Sequence, residues 1–158
     1  MRCFPAQVGL GFGSTSATPV IDLDGTVEAV LQRIILAAPA VSALIGSRLY
    51  PNIVPQKAPN PAMTYQQISG PRLHDMQGAV GMCKARFQIN CWAASYAKAK
   101  ELAETVRLTL DGYSSEGTIK VIHLSNEGDL PKTKPGLDQL TRYGKRLDFF
   151  VWFTERTI

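Results

Sequence analysis

The sequence predicts an α+β fold, a largely antiparallel four-stranded sheet with two helices packed on one face, preceded by an N-terminal arm. Three observations carry that prediction. Lys84 to Ala93 alternates cleanly, with Ala85, Phe87, Ile89 and Cys91 on one side and Lys84, Arg86, Gln88, Asn90 and Trp92 on the other. That is the pattern of a strand with one face on a core. Just beyond it, Tyr96, Ala99, Ala103, Val106 and Leu110 step by three or four, with Leu102 widening the stripe, as on an amphipathic helix. The order along the chain is helix, strand, strand, helix, strand, strand, which stacks helices against a sheet in two layers.

Taken in order, residues 1–22 form an arm of Gly, Ser, Thr and Pro with alternating small residues, expected to be flexible alone and to order against a neighbour. The remaining residues, 23–158, are expected to form a single domain. Asp24 or Thr26 can cap the first helix, whose apolar face is Val27, Val30, Leu31, Ile34 and Ile35. Pro39 separates it from a short helical turn, Ala40 to Ile45, which Gly46 stops. Arg48 to Pro51 is a brief extended piece and Asn52 to Pro61 a proline-rich loop. Ala62 to Ser69 alternates loosely and is assigned as a strand. Gly70 to Gly81 is expected as a long connection leading into the strand at Lys84. Ser95 caps the second long helix and Asp111-Gly112 ends it. Ile119 to Leu124 is a short strand, Ser125 to Leu137 a loop with Pro131 and Pro135, and Lys145 to Glu155 the last strand.

The composition suits a globular chain: 45% of the 158 residues are hydrophobic and 19% charged. Its formal charge of +4 comes from scattered Lys and Arg, whereas a dedicated nucleic-acid reader concentrates them on one stripe. No apolar run reaches the length of a membrane span. Met1 to Val20 has a single basic residue and no continuous apolar stretch, unlike a signal peptide. The three cysteines, Cys3, Cys83 and Cys91, are odd in number and lack CxxC spacing, so a disulfide framework is not expected and synthesis in a reducing cytoplasm is.

Residues that could carry chemistry are few. His74-Asp75 resembles half of a metal site, but only His123 remains to complete it, so no metal is expected. Cys83 and Cys91 share one strand face and are expected to be inert core thiols. Gly9-Leu10-Gly11-Phe12-Gly13 lacks the preceding strand and following helix of a dinucleotide loop, so no cofactor is expected. Glu101 and Glu104 lie among Lys98, Lys100 and Arg107, as on a solvated, salt-bridged helix face. No catalytic residue is assigned. One feature stands apart: Trp92, Phe150 and Trp152 point away from the helices, among Arg86, Gln88, Asn90, Arg146 and Asp148. Aromatic groups set among arginines and polar residues have the composition of a protein–protein interface; cover by a loop or by the N-terminal arm is the alternative.

The stretch from Thr26-Val27-Glu28-Ala29-Val30-Leu31 through Ala38-Pro39-Ala40-Val41-Ser42-Ala43-Leu44-Ile45-Gly46-Ser47-Arg48-Leu49-Tyr50-Pro51 resembles the opening of the phage tail-completion (tail-terminator) family, a helix followed by "DPAV-AL-G-RIYP". Ala85 to Ala93, Ser95 to Ala103 and Leu110 to Tyr113 are similar to that family's central strand and helix, and Arg146 to Phe153 to its closing strand. The extra N-terminal residues depart from the usual pattern. The resemblance implies a virion structural protein without catalytic activity: subunits, usually six, form a homo-oligomeric ring that caps the tail tube and meets the head–tail connector or stopper protein. A different neck adaptor or a tail assembly factor is the alternative. A ring built by heterologous contacts needs two complementary patches on each subunit. The candidates are the face bearing Trp92, Phe150, Trp152, Arg86 and Arg146, and the loops Gly70 to Gly81 and Ser125 to Leu137. Arg72, His74, Lys132 and Lys134 in those loops are candidates for non-specific contact with DNA in the channel.

Overall fold

The computed structural model describes residues 26–133 and 141–155. Thr26 caps the first helix, α1 (Val27–Ala37), its hydroxyl accepting from the Ala29 amide at 3.4 Å; Asp24, the other candidate cap, lies outside the described residues, as does the arm. Pro39 opens α2 (Pro39–Ile45) at a position where its missing N–H costs nothing. Ser95 caps α3 (Tyr96–Leu110) by accepting from the Lys98 amide at 3.3 Å.

The strands are β1 (Leu49–Pro51), β2 (Ala62–Ser69), β3 (Arg72–Asp75), β4 (Gly78–Ala93), β5 (Ile119–Thr133) and β6 (Arg142–Thr154). They form one mixed sheet in the order β1-β2-β4-β6-β5, with β3 also paired to β4. Only β1 and β2 run parallel. The α+β class therefore holds, but with six strands and three helices among the described residues in place of four and two.

Two of the differences, at β3 and β5, have a clear physical reason. Gly70 to Gly81 is not a loop: β2 breaks at Gly70-Pro71, resumes as β3 and turns back into β4 as one hairpin. Its glycines and proline hide the alternation in the sequence. Gly81, at φ 77°, takes a left-handed conformation that lets the strand pass an irregularity in the β3–β4 register. Ser125 to Leu137 likewise begins as strand, because β5 runs to Thr133. Its charged residues, Gly128 and Pro131 suit an edge strand facing water rather than a loop.

Alternation sets the two layers. Ala85, Phe87, Ile89 and Cys91 of β4 and Leu147, Phe149, Val151 and Phe153 of β6 are buried. They share one core with Leu31 and Ile35 of α1, Val41 and Ile45 of α2, and Leu102, Val106 and Leu110 of α3. Tyr96 departs from its expected place on the apolar stripe of α3. It is 47% exposed, at the first turn of the helix, where its ring meets the Lys145 ammonium at 5.8 Å instead of the core.

Candidate interaction surface

All three described helices share the core with the odd-numbered side of β4 and β6, and none of them packs on the even-numbered side. Across it, side chains form rows set by the strand register: Trp92–Gly144–Leu130, Asn90–Arg146–Gly128, Gln88–Asp148–Asn126, Arg86–Phe150–His123 and Lys84–Trp152–Val121. Trp92, Phe150, Trp152, Arg86 and Arg146 therefore share one face, as their alternation implied.

The aromatics are half-buried rather than bare: the Lys84 side chain lies over Phe150 and Trp152, and the Trp92 ring lies close over Gly144. The Lys84 ammonium sits 4.1 Å from the Phe150 ring centroid and 5.2 Å from that of Trp152, within cation–π range. At the centre, Asp148 is fully buried. Its Oδ2 accepts from Arg86 Nη2 at 2.8 Å and lies 3.7 Å from Arg146 Nε. Asp148 Oδ1 and the Nε atoms of Arg86 and Arg146 are buried without a hydrogen-bond partner among the described residues. Two guanidiniums around one carboxylate offset the cost of burying that charge, since each arginine keeps part of its side chain in water.

Gly144 lets the Trp92 ring lie flat against β6, and the Arg146 guanidinium passes over Gly128 on the neighbouring strand at ordinary contact distance. A Cβ at Gly144 would come within 2.6 Å of the Trp92 ring, and one at Gly128 within 3.4 Å of the Arg146 guanidinium. Three cations, Lys84, Arg86 and Arg146, and one carboxylate occupy these rows, so the face is basic as well as aromatic. Sequence reasoning found the large residues but missed Gly144, whose role appears only once the strand register is known.

The loop candidates fall at opposite ends of the sheet. Arg72 lies at the base of the β3–β4 hairpin, opposite Cys83, and His74 lies beyond the Met82–Thr154 row, opposite Ala79. Lys132 is near the far end of β5, its ammonium 5.0 Å from the Tyr143 ring centroid. Ten residues of β4 separate the two ends, about 33 Å at strand rise, so one subunit does not bring them together. Lys134 lies outside the described residues. Arg72 is engaged by Glu155 through two bonds of 2.8 and 3.1 Å; that pairing raises the Arg72 pKa through its hydrogen bond and charge.

The chemical candidates do not converge either. His74 is exposed on the hairpin with Nδ1 3.3 Å from the Arg72 carbonyl. His123 is exposed on β5 opposite Phe150, seven residues of β4 and three strands away from His74. Among the described residues no group of three His, Cys, Asp or Glu side chains is placed to hold a metal. Cys83 and Cys91 are buried and free, and burial raises both thiol pKa values. Glu104 pairs with Arg107 on the solvated side of α3. None of the described helices is long and apolar enough alone to cross a membrane.

The exposed apolar surface lies elsewhere than on the aromatic face. Residues 71–80 of the hairpin are all exposed. Met76 is wholly so at its tip, with Leu73, Val80 and nearby Ile68 between 41% and 52% exposed. Read as a long connection, this segment did not have its apolar residues singled out from the sequence, because without a strand pattern nothing placed them together.

Residues 28–141 match the family described as tail completion protein gp17. No curated protein matches the chain in sequence. Among solved structures, the fold is similar to a chain of the virion of a native gene transfer agent particle, with a TM-score of 0.64 and 19% identity, covering 85% of this chain and 98% of that one.

Proposed function

The chain belongs to the tail completion protein gp17 family, and from that premise we propose that it is a structural virion protein, not an enzyme. In this reading its subunits form a ring, with six copies expected, that caps the finished tail tube and joins it to the head connector. The observation that carries the reading is the family match across most of the folded chain. The likeness to a chain of a gene transfer agent virion supports the fold. The ring reading is supported by a sheet face that none of the described helices covers, bearing Trp92, Phe150 and Trp152 among Arg86 and Arg146.

In the same reading, subunit contact covers the aromatic rows, and basic residues at the sheet ends, Lys132 among them, turn toward DNA in the channel. Mass spectrometry of purified particles, paired with deletion of the gene, tests the proposal. The chain is expected in mature particles, and its loss is expected to leave heads and tails unjoined. Presence during assembly but absence from mature particles would replace the terminator with an assembly factor.

A further inference from the structure

We propose that the β3–β4 hairpin is the projecting half of the subunit contact, docking its apolar tip onto the aromatic, basic sheet face of a second copy of this chain. The inference rests on the ring reading and says which two surfaces close the ring.

The hairpin is built to project and to hold its shape. Asp75 closes its turn by accepting from the Gln77 amide at 2.8 Å, and Gly78 follows at φ 132°. At its base, Arg72 grips Glu155, the Glu155 amide donates to the Gly81 carbonyl at 2.9 Å, and the Lys84 amide donates to the Pro71 carbonyl at 3.4 Å. A preformed projection loses little conformational freedom on docking. Its side chains suit contact rather than water: Leu73, Met76 and Val80 are exposed together at one end of the molecule. A solvated turn of this length needs none of them.

Charge selects the partner. With Arg72 neutralised by Glu155, Asp75 leaves the hairpin end acidic. The sheet face presents Lys84, Arg86 and Arg146 against Asp148 alone. Apolar side chains beside one acid therefore meet aromatic rings beside a surplus of cations. The two surfaces are different and face different directions on one chain, as a head-to-tail ring requires.

The test uses the full chain with Cys3→Ser, since Cys83 and Cys91 are buried. Met76→Asp alters a side chain wholly in water, so its circular dichroism and melting curve should match the parent. Its assembly, read by light scattering and in particles, is expected to need at least tenfold more protein. In parallel, Met76→Cys and Gln88→Cys are combined and treated with a bis-maleimide too short to span the roughly 33 Å between them in one chain. A ladder of linked multimers is expected from the double variant only. If the parent forms rings but Met76→Asp assembles equally well, or the ladder fails to form, the hairpin assignment is wrong and the ring reading stands. If the parent stays monomeric both alone and in tail-bearing particles, the ring reading fails and takes the hairpin with it.

Discussion

Gly144 faces Trp92 across the β4–β6 pair at a separation that leaves no room for a methyl group, since an added Cβ would also come within 3.0 Å of Leu130. Gly144→Ala should therefore displace the indole and destabilise the fold by about 1–3 kcal/mol, the usual cost of overpacking. Thermal melts of the two proteins check this; an unchanged melting temperature would mean that the indole moves without penalty. The buried thiols make a second prediction at this scale. Burial raises the Cys91 pKa, with Glu127 adding to the shift, and burial with Glu155 raises that of Cys83. Below about pH 8.5 the thiols are protonated in both folded and unfolded chains and impose no pH dependence. Above it the unfolded chain releases protons that the folded chain retains, so stability falls as pH rises. Lys145 adds to the trend at higher pH: its pKa is raised first by the hydrogen bond to Asp129 and then by Glu127. The stability that it contributes is complete below about pH 10.4 and is lost as pH rises through the higher folded value. Melting temperature should be level from pH 7 to 8 and decline beyond 8.5, and Cys91→Ala should flatten the first part of that decline.

At the scale of elements, strand β4 was the most legible part of the chain and the hairpin leading into it the least. The difference is physical. From Lys84 to Ala93 each side chain is committed to one of two environments, so composition alternates with the pleat. In β3 and the start of β4 both faces meet water, so no burial pattern exists to be read, and Gly70, Pro71, Gly78 and Gly81 resemble loop punctuation. β5 hides for a related reason: as an edge strand beyond Leu124 it carries Glu127, Asp129 and Pro131, which guard an edge yet also populate loops. The sheet face was legible through its large residues alone. Trp92, Phe150 and Trp152 emerged from alternation, but their cover by Lys84 and the buried Asp148 between two arginines required the cross-strand register. Trp152→Asp should leave the isolated subunit folded, because that ring is only half-buried. It should weaken assembly roughly thirtyfold or more, the loss expected for a tryptophan at an interface centre. Analytical ultracentrifugation checks both halves, and intact assembly would remove this face from the contact.

At the scale of the whole molecule, the chain places helices on one side of a sheet, an aromatic and basic face on the other, and a rigid apolar hairpin past one end. That asymmetry suits repeated head-to-tail contact better than a two-fold dimer, in which the same patch must meet itself. The family was legible in the sequence because its signals are distributed: the helix stop and Arg48-Leu49-Tyr50-Pro51, the central strand and helix, and the closing strand all fall within or beside the matched residues. A cryo-microscopy map of the assembled particle tests the central claim most directly. Density for this chain should form a closed ring at the head-proximal end of the tail tube, with the hairpin of each subunit against the open sheet face of the next. Density for the chain at any other position, or its absence from joined particles, would contradict it.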